Sequence, residues 1–323
     1  GLSSDVRTLR EGGRPLILLV VLATLFILMQ NGLGMAVATL FGMDSRAGLM
    51  TGSISLTGGV GTTLAWAPIF SEKLGIAQAE ELGLASNMLG LVSACVIGGP
   101  IAGYLMRRYE VEASGQVPLD IGTKYDQEPK ARLRYEGVLY ALFWLNLALM
   151  LGQVISALIA LTGLNLPEFV GCLMAGIMIR AMGTLFQPKI KALWNWRTIQ
   201  PGVALISDIC LGMFLTMALM GLQVWLLSEV WLFVMVVIAM QTALTLVFVV
   251  GVVFRAMGRD YEAVVTCAGF GGIVLGSTAT AVANMSAVTR QHGNAPQALL
   301  VVPLVCGFFI DLVNAVVIGL MVG

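Results

Sequence analysis

Apolar residues in this chain gather into long runs separated by short polar joints, and the length of each run sets what it can be. A helix needs about 20 apolar residues to cross a bilayer. Seven stretches qualify without interruption: Leu16–Leu40, Leu82–Leu105, Glu136–Leu161, Pro167–Phe186, Gly202–Gln223, Glu229–Phe254 and Gln297–Val322. Two others are apolar but broken. Ala47–Phe70 holds Gly48, Gly52, Gly58, Gly59 and Gly61, with six Ser or Thr between Thr51 and Thr63. Glu262–Met285 holds Gly269, Gly271, Gly272 and Gly276, followed by Ser277, Thr278 and Thr280. Glycine and hydroxyl residues at that density weaken a helix, so neither segment reads as a continuous lipid-facing span.

Composition narrows the class further. The 323 residues are 58% hydrophobic and 11% charged, against about a quarter charged in a soluble globular chain. Lys and Arg together number 18, as do Asp and Glu, so no basic excess draws the chain to nucleic acid. Cys95, Cys172, Cys210, Cys267 and Cys306 lie singly inside apolar runs, the pattern of packing residues rather than of disulfides or metal sites. No nucleophile elbow, zinc-protease motif or phosphate-cradling loop is present, so the chain reads as a non-enzyme without a cofactor. A membrane protein, with the lipid bilayer as its solvent, is the class that remains.

Charge then decides what the two broken segments do. If both enter and leave on the same side, Arg7, Arg10, Arg14, Arg107, Arg108, Lys124, Lys130, Arg132, Arg134, Arg180, Lys189, Lys191, Arg197, Arg255, Arg259 and Arg290 share one side. Only Arg46 and Lys73 fall on the other, a split of 16 to 2. If both segments cross, the best split is 13 to 5. The positive-inside rule favours the first arrangement. It puts the polar loop 106–135 in the cytoplasm and the C-terminus outside, with segment 47–70 dipping in from outside and 262–285 from the cytoplasm.

Sliding the chain on itself by about 214 residues pairs Leu16–Leu40 with Glu229–Phe254, the two broken segments with each other, and Leu82–Leu105 with Gln297–Val322. Gly58 and Gly59 then fall on Gly271 and Gly272. The pattern predicts an all-α polytopic membrane protein made of inverted-topology repeats, each with five transmembrane helices and a re-entrant helical hairpin. Residues 1–105 are the end of the first repeat, 106–135 a linker, and 136–323 the second repeat. Partners for three spans of the second repeat are missing from the first, so about 70–80 residues are expected upstream of Gly1.

Broken helices at membrane depth leave amide groups at one tip and carbonyls at the other, which suit a carboxylate and Na⁺ respectively. Gly58, Gly59, Gly61, Gly271, Gly272 and Gly276 are expected to shape the tips. The hydroxyls of Ser55, Thr57, Thr62 and Thr63 flank one tip, and those of Ser277, Thr278 and Thr280 the other. Tight helix packing by small residues is the structural alternative. Asp311 and Asn314, at i and i+3, share a helix face and form an oxygen-rich pair fit for Na⁺ or for capping a tip. Asn284 closes the second segment. Asp208 reads as a cation ligand, a partner for an amine, or a structural hydrogen-bonding group. Arg290 follows the second segment and is the best-placed cation for an anionic substrate, or simply a loop charge. His292 reads as a solvated loop residue, and Arg180 as a side chain reaching for the membrane surface.

Several motifs are similar to one family. Gly52-Ser-Ile-Ser-Leu-Thr-Gly-Gly-Val-Gly-Thr-Thr-Leu-Ala-Trp66 resembles the first re-entrant motif of the bacterial sodium/glutamate symporters. Leu275-Gly-Ser-Thr-Ala-Thr-Ala-Val-Ala-Asn-Met285 resembles their second hairpin, and Leu300-Val-Val-Pro-Leu304 with Phe308-Phe-Ile-Asp-Leu-Val-Asn-Ala315 their last span. Met217-Ala-Leu-Met-Gly-Leu222 also fits. Val60, Phe270 and Ala279 depart from the pattern, which has His, His and Pro there. The resemblance implies ten spans in two inverted halves, Na⁺-driven glutamate uptake across the bacterial inner membrane, a homodimer and an elevator movement. A Na⁺-coupled carrier of another dicarboxylate, such as citrate or malate, is the near alternative, and a channel the more distant one.

Overall fold

The computed structural model describes residues 2, 8–112, 133–161, 166–185, 194–221 and 227–322, and every regular element among them is helical. In chain order these are α1 (Thr8–Leu40), α2 (Ala47–Met50), α3 (Gly59–Pro68), α4 (Ala79–Tyr109), α5 (Tyr135–Ala160), α6 (Glu168–Leu185) and α7 (Trp196–Gly221). They continue as α8 (Leu227–Phe248), α9 (Tyr261–Leu275), α10 (Thr278–His292), α11 (Pro296–Leu304) and α12 (Asp311–Val322). Three π-helical stretches accompany them: Ile69–Lys73 prolongs α3, Val249–Val253 prolongs α8, and Val305–Ile310 joins α11 to α12. The polar centre of loop 106–135 lies outside the described residues.

Four described helices are long and apolar enough to cross a membrane: Gly12–Leu40, Ala79–Tyr109, Tyr135–Ala160 and Val230–Ala256. A fifth candidate is the pair Pro296–Gly307 and Asp311–Val322, bent by 43°. The expected unbroken span Gln297–Val322 is therefore two helices. Pro303 lacks the amide that an unbroken ladder needs, and the π stretch follows it. α6 has 18 residues and rises only about 27 Å, short of the hydrocarbon thickness. In α7 the apolar part, Thr198–Phe214, is shorter still and carries Asp208.

The described chain clusters into two compact units, one built on Asp120–Gly221 and the other on Glu11–Leu119 with Leu222–Val322. The first unit packs α5 against α6 and α7 through glycines. A Cβ on Gly137 would stand 2.2 Å from the Thr198 carbonyl oxygen, and one on Gly152 2.5 Å from the Cys172 Cα. Its core closes around Trp194, which meets Trp144 edge-on at 4.8 Å. Arg180 is buried with its guanidinium 3.8 Å from the Trp196 ring centroid, so it stacks on an aromatic face instead of reaching outward.

The second unit contains two helical hairpins. In the later one, α9 and α10 run back along each other about a centre between Gly276 and Ser277. Gly272 abuts Ala281, Asn284 donates to the Ala268 carbonyl at 3.3 Å, and the Tyr261 hydroxyl donates to the Gly293 carbonyl at 2.7 Å. In the earlier one, α4 reports the fold-back. Gly83 faces both Met50 and Thr63, while Asn87 lies near both Ser55 and Gly59. Residues 13 apart can share one neighbour only if the chain reverses between them, so segment 47–68 turns near Gly58. α1 and α8 pack antiparallel, with Phe41 against Phe233 at 5.5 Å and Phe26 against Phe248 at 5.1 Å.

Gly272 tests this packing directly. A Cβ there would stand 2.6 Å from the Ala281 Cα, whereas one on Gly99 would meet nothing within 4 Å. Gly272→Ala is expected to lower thermal stability in detergent, at a cost of about 1–3 kcal/mol for forcing two backbones apart. Gly99→Ala should leave the melting temperature unchanged or raise it slightly. Equal stability of the two variants would contradict the close α9–α10 contact.

Candidate functional site

Each hairpin tip owes its shape to one residue pair. At the second, Gly276 adopts φ −146°, ψ −96° and Ser277 is extended, so the helical ladder stops. A side chain at 276 would meet the Gly272 carbonyl oxygen and Thr280 Oγ1 at 3.0 Å, and Ala94 Cβ at 3.1 Å. Ser277 then caps α10: its Oγ accepts from the Thr280 amide at 3.3 Å and pairs with Thr280 Oγ1 at 3.1 Å. At the first tip, Gly59 sits at φ +75°, a conformation that favours glycine, and α3 begins there.

Opening the backbone exposes polar groups, and buried amide side chains take them up. Asn31 Oδ1 accepts from the Ser53 amide at 2.9 Å. Asn314 Nδ2 donates to the Ser53 carbonyl at 3.0 Å, and Asn87 Nδ2 to the Ser55 carbonyl at 2.7 Å. Gln30 links both tips: Nε2 donates to the Val274 carbonyl at 2.8 Å, and Oε1 accepts from Thr57 Oγ1 at 2.7 Å. Gln241 on α8 holds Gln30 in turn through its main-chain carbonyl at 2.8 Å. Among the described residues, Ser53 Oγ, Ser86 Oγ, Asn87 Oδ1 and Asn314 Oδ1 are buried oxygens that keep no hydrogen-bond partner.

The two tips and the break in the last helix pair enclose a cavity of about 190 Å³. Thr57, Gly58 and Gly59 come from the first tip, and Ile273, Gly276, Ser277 and Thr278 from the second. Cys306, Gly307, Ile310 and Asp311 come from the π stretch and the first residue of α12. All of these belong to the second compact unit. The wall is glycine, hydroxyl and apolar surface with a single carboxylate.

Of the residues singled out in the sequence, Thr57, Gly58, Gly59, Gly276, Ser277, Thr278 and Asp311 line this cavity. Thr280 is one step back, buried and tied to Ser277. The others serve elsewhere. Gly271 and Gly272 lie inside α9, where Ile97 and Ala281 approach, so they are packing glycines and the tip is Gly276-Ser277. Thr62 packs against Gly58 within the first hairpin, and Gly61 is exposed with no neighbour within 4 Å. Ser55 contributes its carbonyl to Asn87. Asn284 ties the arms of the second hairpin together and donates to the Ala94 carbonyl at 3.0 Å. Asn314 turns its amide to Ser53, away from a pairing with Asp311.

One expectation needs correction. Arg290 and His292 are not in a loop, because α10 runs on to His292 and stops only at Gly293, φ +100°. Arg290 is exposed at the hairpin base, 13 residues and roughly 20 Å of helix from the tip. Asp208 is exposed on α7 in the first compact unit and contributes nothing to the cavity wall. Phe270, one of the three departures from the family motifs, is fully buried against Phe26 and Phe248 and also stays out of the cavity.

Gln30, Asn31 and Asn87 were not singled out from the sequence. Their signal was present: uncharged amides inside long apolar helices, where each polar group needs a partner.

Comparison with known proteins agrees with the motif resemblance. The sequence model of the sodium/glutamate symporter family matches residues 1–294. The sodium/glutamate symporters of Escherichia coli (strain K12) and Shigella flexneri are each 35% identical to this chain over 321 residues, covering 99% of it and 78% of the relative. That of Haemophilus influenzae is 35% identical over 321 residues, covering 98% of this chain and 77% of its own. No solved structure matches. With motifs, family match and relatives in agreement along nearly its whole length, this membrane protein belongs to the sodium/glutamate symporter family.

Proposed function

We propose that the chain is a secondary active transporter that carries glutamate across the bacterial inner membrane with Na⁺, and that the cavity between the two hairpin tips holds the substrate. One observation carries this reading: two helix breaks and a broken last span converge on a small polar cavity within one compact unit. Broken helices that meet in this way offer fixed dipoles and hydroxyls without mobile charged side chains. The substrate and the ion come from the printed names of the relatives.

We read both hairpins as re-entrant, with loop 106–135 cytoplasmic and the C-terminus periplasmic, on the charge split of 16 to 2. Antiparallel packing of α1 on α8 supports an inverted repeat, because a hairpin follows each of these helices. The tips then correspond as Gly58-Gly59 to Gly276-Ser277. An elevator movement fits a cavity whose whole lining rides on one unit. For the coupling ion we assign Ser53 Oγ and Asn314 Oδ1, buried oxygens beside the opened turns of the first hairpin whose desolvation no donor offsets.

Purified full chain in liposomes is expected to accumulate labelled glutamate saturably when a Na⁺ gradient is imposed, and not with K⁺ in its place. Stronger competition by citrate or malate than by glutamate would change the substrate, and single-channel currents would replace the carrier with a pore. Topology has its own test in a chain freed of its native cysteines. Ser45→Cys and Lys73→Cys should both react with an impermeant thiol reagent from outside, since a re-entrant segment returns to its own side. Labelling from opposite faces would mean that the segment crosses. Ser53→Ala should raise the Na⁺ concentration for half-maximal uptake roughly fivefold while the glutamate KM at saturating Na⁺ stays within about twofold. An unchanged Na⁺ dependence would remove Ser53 from the ion site.

A further inference from the structure

Among the described residues that line the cavity, Asp311 is the one with a charged side chain, and it makes no ion pair with any described residue. A carboxylate in a membrane interior is costly without a counter-charge, so the cavity is built for something positive to arrive beside it. Two features of the wall say what kind of positive group. First, α10 starts on the same cavity, with Ser277 as its cap and Thr278 as its first residue. The positive end of that helix disfavours a lone cation but suits a carboxylate. Second, the hydroxyls of Thr57 and Ser277 on the wall are already fixed by the packing of the tips. Thr57 Oγ1 donates its proton to Gln30 Oε1, Ser277 Oγ accepts from the Thr280 amide, and Asn314 is not among the residues that line the cavity. The cavity therefore presents a negative wall at Asp311 and a positive wall at the start of α10.

We propose that Asp311 binds the α-ammonium group of the substrate, and so is the residue that separates an amino dicarboxylate from a plain dicarboxylate. This assignment rests on the transport reading above and reassigns Asp311 from ion coupling to substrate recognition. A zwitterion satisfies both walls at once, its ammonium on Asp311 and a carboxylate towards the α10 amides. Glutarate, which has both carboxylates and the same carbon chain but no amine, leaves Asp311 uncompensated and is excluded by that penalty.

The experiment compares wild type with Asp311→Asn in proteoliposomes. It measures the glutamate KM, inhibition of glutamate uptake by glutarate, and the Na⁺ dependence. Losing a charged hydrogen-bond partner should raise the glutamate KM roughly 10- to 100-fold. The glutarate inhibition constant should stay the same or improve, so that selectivity collapses, and half-saturation by Na⁺ should stay within about twofold. If the variant does not transport, thermal stabilisation of the purified protein by glutamate and by glutarate gives the same ratio. Retained discrimination, or a large shift in Na⁺ half-saturation with discrimination intact, overturns the assignment while the transport reading stands. Failure of the wild type to take up glutamate overturns both.

Discussion

A backbone group without a partner in apolar surroundings costs several kcal/mol, and that penalty governs the second unit of this protein. Both hairpins interrupt their helices in the interior, between Met50 and Gly59 and at Gly276-Ser277. The breaks persist because side-chain amides on neighbouring helices receive the freed groups. Gln30 is central, since one side chain binds the hydroxyl of the first tip and a carbonyl of the second. Asn31 receives the Ser53 amide, while Asn87 and Asn314 add a second donor to the Ser55 and Ser53 carbonyls. Neutral amides serve better here than charged groups, because they satisfy a carbonyl without bringing an ionic desolvation cost.

Glycine plays two separate parts. At Gly59 the backbone conformation requires it, and at Gly276 the lack of space does. At Gly34, Gly48, Gly83, Gly90 and Gly272 the helices approach so closely that a Cβ would fall within 3 Å of a neighbouring atom. That closeness lets α4 touch both hairpins, at Gly83 and Asn87 along the first and at Gly90 between Leu56 and the Leu275 carbonyl. α4 thereby fixes the distance between the tips, and with it the size of the cavity. The second compact unit draws on both ends of the chain, Glu11–Leu119 and Leu222–Val322, which together supply the hairpins and the spans that flank them.

Much of the second unit was legible in advance. Runs of 20 or more apolar residues marked α1, α4 and α8 there, and α5 in the first unit, because lipid leaves no other backbone solution than a helix of that length. Glycine density marks both hairpins, and Thr57, Gly58, Gly59, Gly276, Ser277, Thr278 and Asp311 stand out in the sequence as well as on the cavity wall. Arg290 was misplaced because where α10 stops depends on Gly293, and a lone glycine does not announce whether it ends a helix or packs inside one. Gly271 and Gly272 failed for the same reason in reverse. Asn314 shares a helix face with Asp311, yet its amide is claimed by the carbonyl of a residue 261 positions away.

Composition and pattern by themselves determined that this chain is a helical membrane protein with two interrupted segments, since hydrophobic length and glycine content act locally along the chain. Tertiary structure alone decided which interruption residues face the cavity, which are spent on packing, and which amides hold the opened backbone. Those outcomes depend on contacts between residues far apart in sequence, such as Gln30 with Val274 and Ser53 with Asn314. A local pattern can demand that a buried polar group find a partner, but only the packing of helices against one another selects which partner it finds.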